Sequence, residues 1–255
     1  MNKRLIGVVV GLVLAAVAVV SSPIAFSQME PTPTVYTFVS QFQLPRANWA
    51  GYSEDSEKTV VPILEKLTAD GTIGGWSIFE TIVHTPEGYT HGAAWSSTSI
   101  SGLMKVLDEI RKGGPRPGQI AATKHEDLLM QTSMYNAGSG TPAYLRVVCS
   151  NAKADKPETF TSTLKKLLVP TFEEQLKKGA ATSYAVDQQY VNTGAQSLRC
   201  VVVTYPNAEG MDKWAAAINA TMSKWTPAER AEFLGASVLD SRRDFLARIT
   251  HSGHK

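Results

Sequence analysis

Val61-Pro62-Ile63-Leu64-Glu65-Lys66-Leu67-Thr68-Ala69-Asp70-Gly71, with the run Trp76 to Ser97 that follows it, decides the fold, because the same plan returns 108 positions later without a gap. Val61-Pro62 becomes Val169-Pro170, Gly71 becomes Gly179, Trp76 becomes Tyr184, Gly102 becomes Gly210 and Ile110 becomes Ile218. The chain reads as a tandem duplication.

Working outward from that stretch, Val35 to Phe42 is rich in β-branched and aromatic residues and reads as a strand, with Ala143 to Ser150 as its counterpart. Ser53 to Ala69 reads as a helix capped by Ser53, with Glu54, Asp55 and Glu57 near its positive end. Pro62 and Pro170 fall inside the first helix of each copy, where a missing donor and a clash with the preceding turn predict a kink or a division. Gly71 and Gly179 then serve as helix stops, since glycine reaches the left-handed cap without strain. Ile73 to His84 and Tyr89 to Ser97 form a hairpin around Thr85-Pro86-Glu87-Gly88. Its counterpart is Ala181 to Asn192 and Ser197 to Tyr205, around Thr193 to Gln196. A second helix follows in each copy, Ser99 to Lys112 and Asn207 to Lys224.

A last strand is found by echo. His125 to Met130 matches Arg242 to Ala247 at an offset of 117, so the second copy carries nine extra residues, within Trp225 to Ser241. There Thr226-Pro227-Ala228-Glu229 opens a short additional helix. Asn136 to Pro142 reads as the linker between copies.

Each copy is therefore β-α-β-β-α-β, an α+β, ferredoxin-like arrangement. Trp76, Ile78 and Ile82 make one face of the hairpin apolar, and Phe79 and Val83 the other. Helices cover one face only, so the second must be buried against the other copy. The order of elements, the Val-Pro in the first helix and the glycine before the hairpin resemble the dimeric α/β-barrel superfamily, which includes antibiotic-biosynthesis-type monooxygenases and NIPSNAP-like and EthD-like proteins. The resemblance covers nearly all of the chain after residue 27. It implies two four-stranded sheets facing each other as a barrel, packed sheet to sheet, with helices outside. It carries over no catalytic residue, because no catalytic motif of those subfamilies is evident, and the asparagine-tryptophan-histidine set of the haem-degrading members has no counterpart.

At the start of the chain, Lys3 and Arg4 precede an apolar run from Leu5 to Val20, and Ala25 and Ser27 are small residues placed for cleavage. Residues 1–27 are expected to be a signal peptide, 28–140 the first repeat and 141–255 the second. The protein is accordingly expected to be exported, periplasmic or extracellular, touching a membrane only through the leader if that stays uncleaved. Lys3 and Arg4 account for two of the 25 basic residues, so the remainder carries as many bases as the 23 acids. A neutral chain has no general field to attract nucleic acid, which is not expected as a partner.

Two cysteines, Cys149 and Cys200, fall near the ends of neighbouring strands of the second copy. In an oxidising compartment they are either a disulfide or two buried thiols.

Chemistry concentrates on the first hairpin. If Thr85 to Gly88 is a four-residue turn, His84 faces Tyr89, Ile82 faces His91 and Glu80 faces Ala93. Trp76, Glu80, His84, Tyr89, His91 and Trp95 then line one surface. His84, His91 and Glu80 are candidates for proton transfer or for a metal site with open positions. The competing use is structural, with solvated histidines and core tryptophans. Tyr184, Gln188, Asn192 and Arg199 occupy the matching positions of the second copy and cannot repeat a metal site. Asp187, at the position of Phe79, is expected to pair with an arginine, the other reading being a buried carboxylate with a raised pKa. His251 and His254 read as a polar tail, and His125 as a cap or a solvated residue. No phosphate loop, serine elbow or zinc-spaced cysteines are present, so the cofactor is left unknown.

The expectation is a barrel that holds a small apolar or aromatic molecule between a sheet and its helices, with Trp76, Tyr89, Trp95 and Tyr184 as contacts. The alternatives are a cofactor-independent monooxygenase or isomerase using His84 or His91, and an interaction module presenting the helix Thr226 to Leu234. Self-association is compatible with each.

Overall fold

The computed structural model describes residues 34–83, 85, 87–155, 157–191 and 197–255. The leader 1–27, His84 and the turn 193–196 lie outside the described residues. Among those described, no helix is long and apolar enough to cross a membrane.

The first half consists of β1 (Val35–Gln43), α1 (Trp49–Asp55), α2 (Val61–Ala69), β2 (Gly75–Val83), β3 (His91–Ser97), α3 (Ile100–Lys112), α4 (Pro117–Ile120) and β4 (Lys124–Ala137). The second consists of β5 (Tyr144–Ala152), α5 (Pro157–Leu167), α6 (Val169–Lys177), β6 (Ser183–Gln189), β7 (Leu198–Tyr205), α7 (Ala208–Ser223), α8 (Pro227–Gly235) and β8 (Ser237–His254). The eight strands close into one antiparallel barrel in the order β1-β3-β2-β8-β5-β7-β6-β4. Each half contributes four adjacent strands in ferredoxin-like order, and the register repeats with the sequence offsets. Val39 pairs with Leu128 in the first half, and Val147, 108 positions on, pairs with Phe245, which is 117 beyond Leu128.

Closure depends on two long strands. β4 pairs with β1 through residues 124–132 and with β6 of the other half through 130–137. β8 does the same with β5 and then with β2, so that His251 lies opposite Ile78 and His254 opposite Gly75. The expected polar tail is therefore a strand, because β2 would otherwise expose a row of unpaired backbone groups. By the same logic the expected linker gives up Asn136 and Ala137 to β4.

Strand alternation sends one set of side chains outward beneath the helices and the other into the barrel. Phe79, Met130, Leu145, Val147, Leu198, Cys200, Ala247 and Ile249 meet inside, drawn from both halves. Outside, Leu64, Leu103, Val106, Trp76 and Trp95 form the core under the first half's helices. Each large apolar side chain so buried contributes about 1.5–3 kcal/mol.

The helices divide where the prolines stand. α2 starts at Val61, after a wide turn over Ser56–Val60, and α6 at Val169, each with its proline in the first turn. Gly71 and Gly179 have φ of 79° and 70°. One boundary differs from expectation. The first helix opens at Trp49, four residues before Ser53, which lies within the helix and does not cap it. Trp49 and Tyr52 supply the apolar contacts that extend it.

Candidate functional site

The two halves are not equally filled. Beneath the first half's helices, the Trp95 indole stacks on Phe38 with centroids 4.9 Å apart, and its Nε1 donates to the Leu103 carbonyl at 3.2 Å. Leu64, Leu103 and Val106 are fully buried around it. At the matching positions of the second half, Val203 stands for Trp95 and Arg146 for Phe38. Val106 becomes Trp214, but Leu107 becomes Ala215. The sheet loses its stacked pair, Leu64 becomes Phe172 on the helix side, and a cavity of about 460 Å³ lies between the sheet and the helices.

Val148, Val201 and Val203 form its floor, and Phe160, Leu164, Phe172, Trp214 and Ile218 its walls. Phe172 stacks on Trp214 at 4.9 Å, giving one side an aromatic surface. The nine-residue insertion supplies the roof, since Phe233, Leu234, Ala236 and Leu239 all line the space. α8 owes its position to a complete capping box, in which Thr226 Oγ1 accepts from the Glu229 amide at 3.2 Å and the Thr226 amide donates to Glu229 Oε2 at 2.8 Å. Lys166 also binds Glu232 at 2.7 Å, tying α8 to α5.

The rim is cationic. Arg146 Nη2 donates to Asp244 Oδ2 at 3.3 Å, and Arg242 holds the same carboxylate through Nε at 3.0 Å and Nη2 at 2.8 Å. The hydrogen bonds from Arg242 hold the Asp244 carboxyl below its ordinary range. Two guanidiniums share one carboxylate, which leaves the mouth with net positive charge. The lining has no histidine, cysteine or carboxylate among the described residues; its polar side chains include Arg146, Ser150, Thr163, Tyr205, Asn219, Ser237 and Arg242.

The residues singled out in the sequence are distributed differently. Trp76 and Trp95 are direct cross-strand neighbours, as are Glu80 and His91. The expected partner of Glu80 was Ala93, which instead faces Ile78. The connection is longer than four residues, with the Thr81 amide donating to the Thr90 carbonyl at 2.8 Å. A shift of two keeps each side chain on its face but changes its partner. His91 is 2% exposed and sits edge-on to Trp49 at 5.2 Å and Tyr52 at 5.1 Å, inside the first half's packing. Tyr89 lies apart under Lys124, whose Nζ is 4.8 Å from the ring centroid, and burial pushes its hydroxyl up to about 12. Tyr184 is buried in the second half and donates to Glu173 Oε1 at 2.5 Å. Gln188 donates to Gln131 at 2.8 Å and Arg199 to the Leu198 carbonyl at 3.2 Å. His125 is neither a cap nor simply solvated. It stacks on Phe42 at 4.5 Å, and its Nε2 meets both Ser40 Oγ at 3.0 Å and Asp127 Oδ1 at 2.9 Å. Among the described residues, no three His, Cys, Asp or Glu side chains cluster as metal ligands. The two cysteines are bonded, Cys149 to Cys200, directly across β5 and β7.

Asp187 has no arginine partner among the described residues. It lies inside the barrel and accepts from Thr132 Oγ1 at 2.8 Å. Burial pushes its carboxyl up to about 6, against the smaller, lowering pull of the Thr132 hydroxyl. An unfolded aspartate titrates near 3.9, so the folded chain binds this proton more tightly. The stability it contributes is full below about pH 4, falls as pH rises toward about 6 and is absent above, a loss of about 2–3 kcal/mol. Asp187→Asn keeps the shape and can still accept from Thr132, but it cannot ionise. Its stability relative to wild type should grow by about 2–3 kcal/mol between pH 4 and pH 8 in urea unfolding, and a difference that stays constant with pH would refute this reading.

Geometry places the chain among the ferredoxin-like α/β barrels. No protein-family profile matches the sequence, and no curated protein aligns with it. Solved structures do share the fold. A protein from Lactobacillus acidophilus provisionally described as a monooxygenase superposes with a TM-score of 0.63 at 11% identity, over 87% of this chain and 96% of that one. A similarly described protein from Fusobacterium nucleatum gives 0.60 at 9%, over 89% and 96%, and an anthrone oxidase-like protein 0.56 at 9%, over 88% and 94%. At such identities the likeness concerns architecture alone, an eight-stranded α+β barrel with ferredoxin-like halves.

Sequence reasoning missed the cavity residues, although a signal was present. Aligning the copies at 108 pairs Trp95 with Val203 and Phe38 with Arg146, so two rings leave the sheet, while Leu64 and Val106 pair with Phe172 and Trp214, which places the second half's stacked rings on its helices.

Proposed function

We propose that this protein is an exported binder of a small apolar or aromatic molecule, held between the sheet and the helices of its second half. The observation that carries the reading is the cavity itself, apolar-walled, with Val203 in the place of Trp95 and roofed by α8, nine residues long where the first half has the four-residue α4. A preformed apolar space with a few polar groups at its rim suits a compact ligand. Among the described residues the lining has no histidine or carboxylate, and burial pushes the hydroxyl of its one tyrosine, Tyr205, up and away from neutral pH, which favours binding over turnover; the buried His91 belongs to the opposite half. The roofing role of α8 is also why we place its function in the pocket and not in contact with a partner protein.

The repeated registers support descent from one duplicated unit. The leader and the bonded cysteines support export into an oxidising compartment.

Copying the first half's residue into the second provides the test. Val203→Trp should refill the cavity and weaken binding of the neutral fluorophore N-phenyl-1-naphthylamine by about tenfold or more, since a loss of 1.4 kcal/mol suffices. Thermal stability should hold or rise, because the indole enters empty space. Unchanged fluorophore affinity in a folded variant would place the ligand elsewhere.

A further inference from the structure

One departure of the barrel interior from the internal symmetry lies where the two halves meet. Phe79 of β2 pairs with Ile249 of β8, and the equivalent pair across the other seam is Asp187 of β6 with Thr132 of β4. An apolar pair on one side thus faces a carboxylate and a hydroxyl on the other. Asp187 lines a second cavity, of about 680 Å³, at the barrel end bounded by the loop Gly71–Gly74, by Gly138–Pro142 and by Lys255. Val35, Ala94, Val202 and Ile249 give this space apolar walls. Ser183 and Thr204 give it hydroxyls, linked to each other at 2.6 Å.

Among the described residues, the surroundings of Asp187 supply no countercharge to its carboxyl. β4 presents Thr132 and, farther out, Tyr135; β7 presents bonded Cys200 and Val202; β8 presents Ile249. His254 and Lys255 stand at the rim, and neither contributes to the state of the carboxyl, which is set by burial and by the Thr132 hydroxyl. A carboxylate desolvated without a cation is costly, and a guest that brings the cation removes the cost.

We infer that the barrel end is a binding site for a small aliphatic ammonium ion, its charged head on Asp187 and its alkyl body against Val202 and Ile249. The three N–H groups of such a head can serve the free carboxylate oxygen and the neighbouring hydroxyls, while a short chain fills the apolar remainder. This site is separate from the helix-roofed cavity of the second half and does not rest on what binds there.

The test uses the full chain and n-propylammonium chloride, with n-propanol as the uncharged control, followed by calorimetry and by NMR shift mapping. At pH 8 propylammonium should bind at least about tenfold more tightly than propanol, with shifts at Thr132, Val202 and Ile249. Lowering the pH to 4.5 should weaken it by about tenfold or more, as the proton displaces the guest. Asp187→Asn should lose a similar factor while keeping its near-ultraviolet dichroism. Equal affinity for the amine and the alcohol would overturn the inference. So would shifts confined to exposed acids or to the second half's helices, undiminished binding to the asparagine variant, or no binding at pH 8. The comparisons of amine with alcohol and of pH 8 with pH 4.5 require no variant, so a misfolded mutant cannot decide the matter.

Discussion

Phe79→Ala should destabilise the protein by about 3–5 kcal/mol, the range for removing a large aromatic side chain from a packed interior. Phe79 is 1% exposed and lies in the cluster that the two halves build together inside the barrel. Its ring lies 5.9 Å from that of Phe245 on β8, so it bridges the seam between halves. Space for it is made by the absence of a side chain opposite: a Cβ on Gly92 would stand 2.5 Å from the phenyl Cζ. No neighbour can move in easily, because the barrel wall is a continuous hydrogen-bonded sheet, and the hole should persist. For a chain of this size, the loss corresponds to a fall in Tm of about 6–20 °C. Urea unfolding of wild type and variant gives the free-energy difference directly. A cost below about 1 kcal/mol would mean that the interior is not the shared core of the two halves.

Breaking the bond between Cys149 and Cys200 should cost nearly as much. The two residues are 51 apart in sequence, and releasing a loop of that length restores enough chain entropy to the unfolded state to lower stability by about 4 kcal/mol. Measured losses cluster at about 2–5 kcal/mol. The double variant Cys149→Ala, Cys200→Ala should unfold at lower urea, and a reducing agent should shift the wild type to match while leaving the variant unmoved. Because the bridge ties β5 to β7 under the cavity floor, its loss should also loosen the site that we propose binds the apolar guest. A reductant without effect on the wild-type midpoint would show that the bridge does not contribute.

Much of the architecture was legible in the chain because its sequence writes each element twice. The offset of 108 located both hairpins, both proline-divided helices and both glycine caps, and the offset of 117 located the last strands and the insertion. Asp187 stood out as a carboxylate at the position of Phe79. Its neighbour did not, because a carboxylate on a strand is as compatible with an arginine across the sheet as with a hydroxyl, and only the pairing of β6 with β4 selects Thr132. The hairpin partners were misplaced by two residues for a related reason: the length of an irregular connection is not set by the residues at its tip.

What the sequence by itself determined is the repeating unit, its order of elements and which strand faces are apolar, since these follow from local propensity and from periodicity. What only the tertiary structure decided is how far β4 and β8 run on to join the opposite half, and that one of two similar cores is open. Both depend on sums over distant side chains. Whether Val203 leaves a hole is answered by what α5, α7 and α8 bring to it, and no single stretch of the chain contains that information.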